Sequence, residues 1–397
     1  MNIVLYAGEA KGVSSLLPIY REAERRKINF WALFSTETQI QFPNKNKDKF
    51  NIISNVGSKD SHWSETLGLY LPFRPDCLLI QRERWEPELS ILQEFKYLFN
   101  CKIGVVEQNA AVFSNIETFL ETINKNAYMR LDKTNPLIDF FFDHSSWTAE
   151  TRRLDNFKGK LIVSGNPKYD INLDFGKSQI GKLREKYSVP QGTPATLVAS
   201  TMSDKRYDFF NEVRRLKNIS TELFFIKPYP GEPYLAHFKQ DYDPEFIIDG
   251  VTPIFDESDI WGMFHICDHH IGTRGSIVYP TLLLKKKYTD LSFIIGGDSH
   301  WYDFSPYLEK GASSSFEFRG EIWTNTIGLN DISEIQTLIP ESVIKKAEER
   351  NHHYISTFKD YVSDSSDLNH KKMLKFFDDF NDCRASERIL DFLESEL

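Results

Sequence analysis

Residues 272–276 of the sequence combine residue types that bind phosphate. They read Gly-Thr-Arg-Gly-Ser and lie between two apolar runs, the second of which is predicted to be helical. Thr273 and Ser276 offer hydroxyls, and Gly275 lets a ligand approach the backbone. Arg274 can bind an oxyanion through two parallel hydrogen bonds. Free N–H groups at a helix start, with the helix dipole, suit a phosphate. The open alternative is that Ser276 only caps that helix.

A second candidate phosphate contact ends an apolar, strand-like run at Lys227 and Pro228. An unpaired buried ammonium is costly, so a lysine at the tip of a buried strand should face solvent or an anion. We interpret the anion as a nucleotide phosphate. Glu232 follows closely and would act as a base, or as a nucleophile in a retaining sugar transfer. The alternative for Lys227 is a surface side chain beside an edge turn.

The first glycine loop of the chain runs from Gly8 to Gly12 and follows an apolar run that is predicted to be a strand. The four-residue spacing of the two glycines lacks the GxGxxG pattern, which disfavours an NAD site. The loop is predicted to be a tight strand-to-helix turn. Glu9 would then lie at the carboxyl edge of a parallel sheet, where ligands bind. We assign Gly8 to the acceptor side of the site and Glu9 to its candidate catalytic groups.

Two further strand ends carry polar residues. Glu107 follows an apolar strand and is a candidate general base for an acceptor hydroxyl. Gln108 and Asn109 come next, and the alternative is that Asn109 caps a helix. His144 lies in a Ser- and Asp-rich cluster, residues 143–146, for which the same two interpretations stay open.

Neither a metal nor a cofactor is predicted. His269 and His270 are adjacent, as are His352 and His353. Neighbouring residues in a strand point to opposite faces, so two adjacent histidines there cannot chelate one ion together. Neither pair has Asp, Glu or His at zinc spacing.

Composition excludes several classes of protein. The chain has 397 residues and a net charge of −9, so it has no basic footprint for nucleic acid. Its four cysteines form no CxxC pair. The sequence shows neither the pattern of a signal peptide nor an apolar run of about 18 residues. We therefore expect a cytoplasmic protein, with peripheral association with the inner face of the membrane left open.

The elements that position these residues alternate between strand and helix, which predicts an α/β fold with parallel sheets. The polar, glycine-containing stretch 168–192 is the predicted linker. We predict an N-terminal Rossmann-like acceptor domain over 1–170, a nucleotide-donor domain over 171–332 and a helical region over 333–397. Elements predicted from the sequence include strands at 77–80, 246–248, 266–271 and 293–295, and helices at 146–154 and 372–397.

The order of the motifs resembles one class of enzymes. Residues 163–168 (Val-Ser-Gly-Asn-Pro-Lys), 199–202 (Ala-Ser-Thr-Met), 226–230 (Ile-Lys-Pro-Tyr-Pro) and 268–276 follow one another. This order resembles that of GT-B glycosyltransferases of bacterial surface polysaccharides. The most similar families in pattern are the CDP-glycerol glycerophosphotransferases, the Kdo transferases of capsule and lipopolysaccharide, and the polysialyltransferases. UDP-N-acetylglucosamine 2-epimerases share the arrangement.

The resemblance implies a GT-B fold, with two Rossmann-like domains that face a cleft and a helical C-terminal region. It also implies a glycosyltransferase in which Ser200 and Thr201 join Lys227 around the nucleotide phosphates. No metal is needed if these groups and a helix N-terminus carry the charge. The donor would be a CMP-linked acidic sugar such as Kdo or sialic acid, or a UDP-sugar. The acceptor would be a cell-surface glycan or glycolipid. Tyr229 stands where those families have histidine. The alternatives are a 2-epimerase, a CDP-polyol phosphotransferase, and a catalytically degenerate nucleotide-binding module, which Tyr229 favours.

Overall fold

The structure, a computed structural model, divides the chain into two compact units. The first comprises Met1–Ile171, Ile335–Val343 and Lys375–Leu397, and the second comprises Asn172–Glu334 and Ile344–Leu374. The residues that the structure describes are 1–7, 10–34, 51–52, 71–81, 86–106, 135–154, 157–172, 176–200, 206–228, 248–273, 277–291, 314–318, 321–325 and 341–397.

The first unit contains a parallel sheet with the strand order β3-β2-β1-β4-β5-β6-β7. Its strands are β1 (Asn2–Ala7), β2 (Asn29–Phe34), β3 (Asn51–Ile52), β4 (Cys77–Ile80), β5 (Lys102–Val106), β6 (Phe140–Asp143) and β7 (Lys160–Val163). The described residues of β4 and β6 are all buried, as expected for strands covered on both faces.

The helices of this part of the chain are α1 (Ala10–Arg26), α2 (Glu86–Phe99), α3 (Ser146–Leu154) and α4 (Lys168–Asn172). Helices α1 and α2 pack on opposite faces of the sheet. In α1 the buried residues Leu16, Ile19 and Ala23 recur at helical spacing and join one apolar cluster. In α2 the residues Leu92 and Phe95 join a separate cluster.

The second unit contains a parallel sheet with the strand order β10-β9-β8-β11-β12. Its strands are β8 (Ala195–Ala199), β9 (Leu223–Lys227), β10 (Val251–Pro253), β11 (His269–Gly272) and β12 (Lys287–Asp290). An antiparallel pair follows, β13 (Ser314–Phe318) and β14 (Glu321–Asn325). The helices are α5 (Lys177–Lys186), α6 (Arg206–Ile219), α7 (Glu257–Ile266), α8 (Val278–Leu283), α9 (Glu341–Ser363) and α10 (Asp367–Leu374).

The final helix, α11 (Ala385–Glu396), belongs to the first unit and packs on α1. Arg26 donates hydrogen bonds to Asp391 at 2.6 Å and to Glu394 at 2.9 Å. At the other end of the helix, the carboxylate of Asp170 accepts hydrogen bonds from the backbone N–H groups of Ala385 and Ser386 at 3.1 and 2.6 Å. A carboxylate at a helix start satisfies N–H groups that have no partner within the helix.

The predicted α/β class with Rossmann-like parallel sheets is confirmed, while two local predictions are wrong. The strand predicted at 246–248 lies largely outside the described residues, and the next described strand, β10, starts after a turn at Gly250, where φ is +72°. The strand predicted at 266–271 starts at His269 because helix α7 runs to Ile266. The strand predicted at 293–295 lies outside the described residues.

The second wrong prediction is a single helix over 372–397. The chain breaks between α10 and α11, where Asn381 and Cys383 have φ of 54° and 55°. These left-handed conformations cannot continue a right-handed helix. Among the described residues, no helix is long and apolar enough to cross a membrane.

Candidate functional site

The carboxyl ends of β8 and β11 mark the most informative position of the second sheet. These strands are neighbours, yet the chain leaves β8 for β9 on one side and comes back to β11 on the other. Ligands of open α/β sheets bind beyond the carboxyl ends of the strands at such a reversal. Ser200 follows β8 and Thr273 follows β11, so both lie at this edge.

Lys227 lies beside Ser200 at the same edge. It is the last residue of β9 and pairs with Ala199 in register. The backbone N–H of Ser200 donates a hydrogen bond to the carbonyl of Lys227 at 2.9 Å, which extends the ladder by one residue. Lys227 is half-buried, and Pro228 after it is buried. The structure therefore brings together Ser200, Lys227, Pro228 and Thr273, four of the residues that the sequence assigns to the nucleotide.

The end of β11 is closely packed. A Cβ atom at Gly272 would lie 3.1 Å from Cγ2 of Ile277 and 3.2 Å from the hydroxyl of Tyr288. That hydroxyl donates a hydrogen bond to the carbonyl of Thr273 at 2.5 Å. These contacts fix the direction in which the chain leaves β11, and hence the start of the 272–276 loop.

Asp290 is a carboxylate at this edge that the sequence analysis missed. It ends β12, pairs with Gly272 and is 2% exposed. The omission arose because no strand was predicted at 287–290. The usable signal was the alternation of Lys287, Tyr288, Thr289 and Asp290 after a tight turn.

Helix α8, which follows the 272–276 loop, is short. It has six residues, and its N-cap position is occupied by Ile277, which makes no side-chain capping bond. Ser276, the predicted cap, lies outside the described residues, so the capping alternative stays a prediction. A helix of about two turns also aligns few peptide dipoles, so it contributes less to anion binding than expected.

The two adjacent histidines of β11 occupy opposite faces, as predicted. Nε2 of His269 lies 2.8 Å from Oγ1 of Thr289, and Nδ1 of His270 lies 2.8 Å from Oγ1 of Thr281. Burial lowers the pKa of His269 to about 4 and that of His270 to about 3. Both rings are therefore neutral near pH 7. Within the described parts of the chain, no group of three His, Cys, Asp or Glu side chains could hold a metal ion.

His144 lies in the first unit, after β6, and is completely buried. The next residue, Ser145, forms a reciprocal cap with Thr148. Oγ of Ser145 accepts from the Thr148 N–H at 3.2 Å, and Oγ1 of Thr148 accepts from the Ser145 N–H at 3.1 Å. The capping interpretation is thus confirmed for Ser145, whose hydroxyl also donates to the carbonyl of Phe376 at 3.0 Å. A ligand-binding role for His144 stays a prediction.

The other predicted site residues lie outside the described residues. These are Gly8, Glu9, Glu107, Gln108, Asn109, Thr201, Glu232, Arg274, Gly275 and Ser276.

The known proteins that resemble this chain are found among solved structures. No family model matches the chain, and no curated protein matches it. UDP-GlcNAc 2-epimerase from Neisseria meningitidis, solved bound to UDP-GlcNAc, has a TM-score of 0.59 at 12% identity, over 100% of both chains. The wall teichoic acid polymerase TagF has a TM-score of 0.55 at 12% identity, over 100% of this chain and 88% of that one. MnaA of S. aureus, in a co-structure with UDP, has a TM-score of 0.58 at 12% identity, over 99% of this chain and 96% of that one.

The chain has a GT-B-like fold. The likeness extends over the whole length of the chain in each comparison, and it confirms the fold class predicted from the motif order. At this level of identity it shows the fold alone.

Proposed function

We propose that this protein is a glycosyltransferase that moves a sugar from a nucleotide-activated donor to a glycan acceptor. The observation that carries the proposal is the gathering of Ser200, Lys227 and Thr273 at the reversal point of the second sheet. This gathering occurs in a chain whose fold matches an enzyme solved with UDP-GlcNAc.

In the proposed mechanism the second unit stabilises the leaving nucleotide. Negative charge develops on the phosphate oxygen as the bond to the sugar breaks, and preorganised donors lower the energy of that transition state. Lys227 and Arg274 supply positive charge, while Thr273 and Ser276 supply hydroxyl donors. The remaining proposed phosphate contacts are Ser200, Thr201, Pro228 and Gly275.

The acceptor is assigned to the first unit. Glu107 or Glu9 would take the proton of the acceptor hydroxyl as it attacks the sugar. Glu232, in the second unit, is assigned to the donor sugar. The proposed acceptor contacts are Gly8, Gln108, Asn109 and His144.

The motif resemblance places a CMP-linked acidic sugar first among the donors and a UDP-sugar second. The test is a thermal-shift series with CMP, CDP, UDP, GDP and NAD, because a ligand that binds only the folded protein raises its Tm. We expect a shift with CMP or UDP. A shift with CDP would support polyol-phosphate transfer instead. The proposal would be overturned if NAD alone raised the Tm, or if none of these nucleotides raised it.

The second candidate is a 2-epimerase that acts on a UDP-amino sugar, which the likeness to the Neisseria enzyme supports. An epimerase turns over its substrate without an acceptor, whereas a transferase requires one. Incubation with UDP-GlcNAc alone, followed by proton NMR of the anomeric region, separates the two. Appearance of a second amino-sugar species would favour the epimerase.

A further inference from the structure

The first sheet has its own reversal point, between β1 and β4. The chain leaves β1 for β2 on one side and comes back to β4 on the other side of β1. Gln81 is the first residue after β4, so it lies at the carboxyl edge where a ligand of this sheet would bind.

The side chain of Gln81 is buried without a partner. Gln81 is 1% exposed. Within the part of the chain that the structure describes, neither Oε1 nor Nε2 has a hydrogen-bond partner. Most buried polar side-chain atoms in proteins have a hydrogen-bond partner. An amide whose oxygen and nitrogen both lack one is therefore unusual and calls for a physical explanation.

The alternation of β4 indicates the face on which Gln81 lies. Cys77 and Leu79 belong to the apolar cluster that contains residues of α1, whereas Leu78 and Ile80 belong to the cluster that contains residues of α2. Side chains alternate between the faces of a strand. Continued by one residue, the alternation places Gln81 on the face that α1 covers.

A second buried polar group without a partner lies on that face. Ser15 is 0% exposed, and its Oγ has no partner among the described residues. It belongs to α1, one helical turn before Ile19, which packs in the cluster on this face. Because α1 starts shortly after β1 ends, Ser15 lies near the same carboxyl edge as Gln81.

We propose that Gln81 and Ser15 bind uncharged sugar hydroxyls of the acceptor, an inference that rests on the proposed function. The Gln81 amide offers one acceptor and two donors, and the Ser15 hydroxyl both donates and accepts. Two sugar hydroxyls can pair with both the hydrogen-bond donors and the acceptors of these side chains. A carboxylate only accepts and would leave Oε1 of Gln81 unpaired, and an ammonium only donates and would leave Nε2 unpaired. Since both side chains are covered, the protein must open locally for the sugar to enter.

The first test measures the stability of the unbound protein. Gln81→Met replaces the amide by a flexible apolar side chain of similar length, and removes a buried polar group without a partner. We expect its Tm to equal or exceed that of the wild type. Ser145→Ala is the control in the same unit, because that fully buried hydroxyl does donate a hydrogen bond, and we expect it to lower the Tm. A drop in Tm for Gln81→Met comparable to that of the control would overturn the inference.

The second test measures sugar contact by saturation-transfer NMR on the full-length protein. The probes are the methyl glycosides of glucose, galactose and N-acetylglucosamine, with methyl glucuronide as the charged comparison. We expect contact with at least one neutral glycoside and a loss of affinity of about fivefold or more in Gln81→Met and Ser15→Ala. Equal contact in wild type and variants, contact with none of the neutral glycosides, or preference for the glucuronide would each overturn the inference.

Nucleotide binding separates this inference from the proposed function. If the wild type binds a glycoside through Gln81 but shows no nucleotide-induced rise in Tm, the proposed function fails and the sugar site stands. If the nucleotide raises the Tm equally in wild type and Gln81→Met while glycoside contact is unchanged, only the inference about Gln81 fails.

Discussion

The backbone N–H of Ser200 lies 2.9 Å from the carbonyl oxygen of Lys227, to which it donates a hydrogen bond. This bond ties the first residue beyond β8 to the last residue of β9. The position of Lys227 relative to the segment after β8 is therefore set by the sheet itself. Contacts held by regular strands are more precise than contacts held by loops alone.

Replacement of Lys227 tests the phosphate assignment. Lys227→Ala should weaken binding of the nucleotide that gives the largest thermal shift by about tenfold to a hundredfold, because it removes a charge-assisted hydrogen bond. Lys182→Ala is the control, since Lys182 is an exposed lysine on α5 of the same unit. Titration calorimetry gives both affinities. Equal affinity in Lys227→Ala and wild type would remove Lys227 from the site.

Gly272→Ala tests the close packing at the end of β11. The added methyl would lie within 3.2 Å of Ile277 and Tyr288, so we expect a loss of about 1–3 kcal/mol in the free energy of unfolding. Nucleotide affinity should also fall, because Tyr288 orients Thr273. Gly181→Ala, in the middle of α5 with nothing within 4 Å of the new methyl, should instead stabilise by about 0.5–1 kcal/mol. Urea unfolding of both variants is the measurement, and opposite signs are expected.

The buried histidines of β11 predict acid sensitivity. Burial lowers the pKa of His269 to about 4 and that of His270 to about 3, whereas the unfolded chain takes up these protons near pH 6.5. Between about pH 6.5 and about pH 4 the unfolded state therefore binds more protons, and the free energy of unfolding falls as the pH falls. Each histidine contributes a slope of about 1.4 kcal/mol per pH unit.

His270→Gln removes one of these two contributions. Its urea-unfolding free energy, measured from about pH 4 to about pH 7, should depend less steeply on pH than that of the wild type, by about 1.4 kcal/mol per unit. The same slope in both proteins would show that the His270 ring is protonated in the folded state.

The contact between α1 and α11 predicts different effects for two adjacent arginines. Arg26 bonds to Asp391 and Glu394 of α11, whereas Arg25 bonds to Glu22 within α1. Asp391 and Glu394 are 65% and 46% exposed at the side chain, so solvent screening limits the loss in Arg26→Ala to about 1 kcal/mol. Arg25→Ala should cost less, because Arg25 is exposed and its ion pair lies within one helix. Thermal unfolding at low and high salt is the measurement. Both effects should shrink with salt, and the Arg26 effect should remain the larger.

Most of the fold could be predicted from the hydrophobic runs in the sequence. β4 (Cys77–Ile80) and α3 (Ser146–Leu154) have the predicted bounds, because continuous apolar runs and helical periodicity are local signals. The position of Lys227 at a strand end was also predictable, since the apolar run stops at the lysine. The strand order that brings it beside Ser200 depends on pairing between distant segments, which periodicity does not encode.

The missed features all depend on tertiary context. β12 is short, and Asp290 becomes a candidate site residue only because it pairs with Gly272 at the end of β11. The break before α11 depends on two residues in the left-handed conformation, Asn381 and Cys383. Neither is a glycine, the residue type that would have predicted such a break from the sequence. Gln81 carries no motif, and it becomes notable only once its burial and its lack of partners among the described residues are known.

Because α11 completes the first unit, the order of synthesis has a consequence for folding. The ribosome makes Leu16, Ile19 and their apolar neighbours before the second unit, but Leu390 and Leu393, which share their cluster, only after it. The first unit is therefore completed after the second. Until α11 is made, the apolar face that it covers stays exposed, and exposed apolar surface of this kind promotes aggregation during folding.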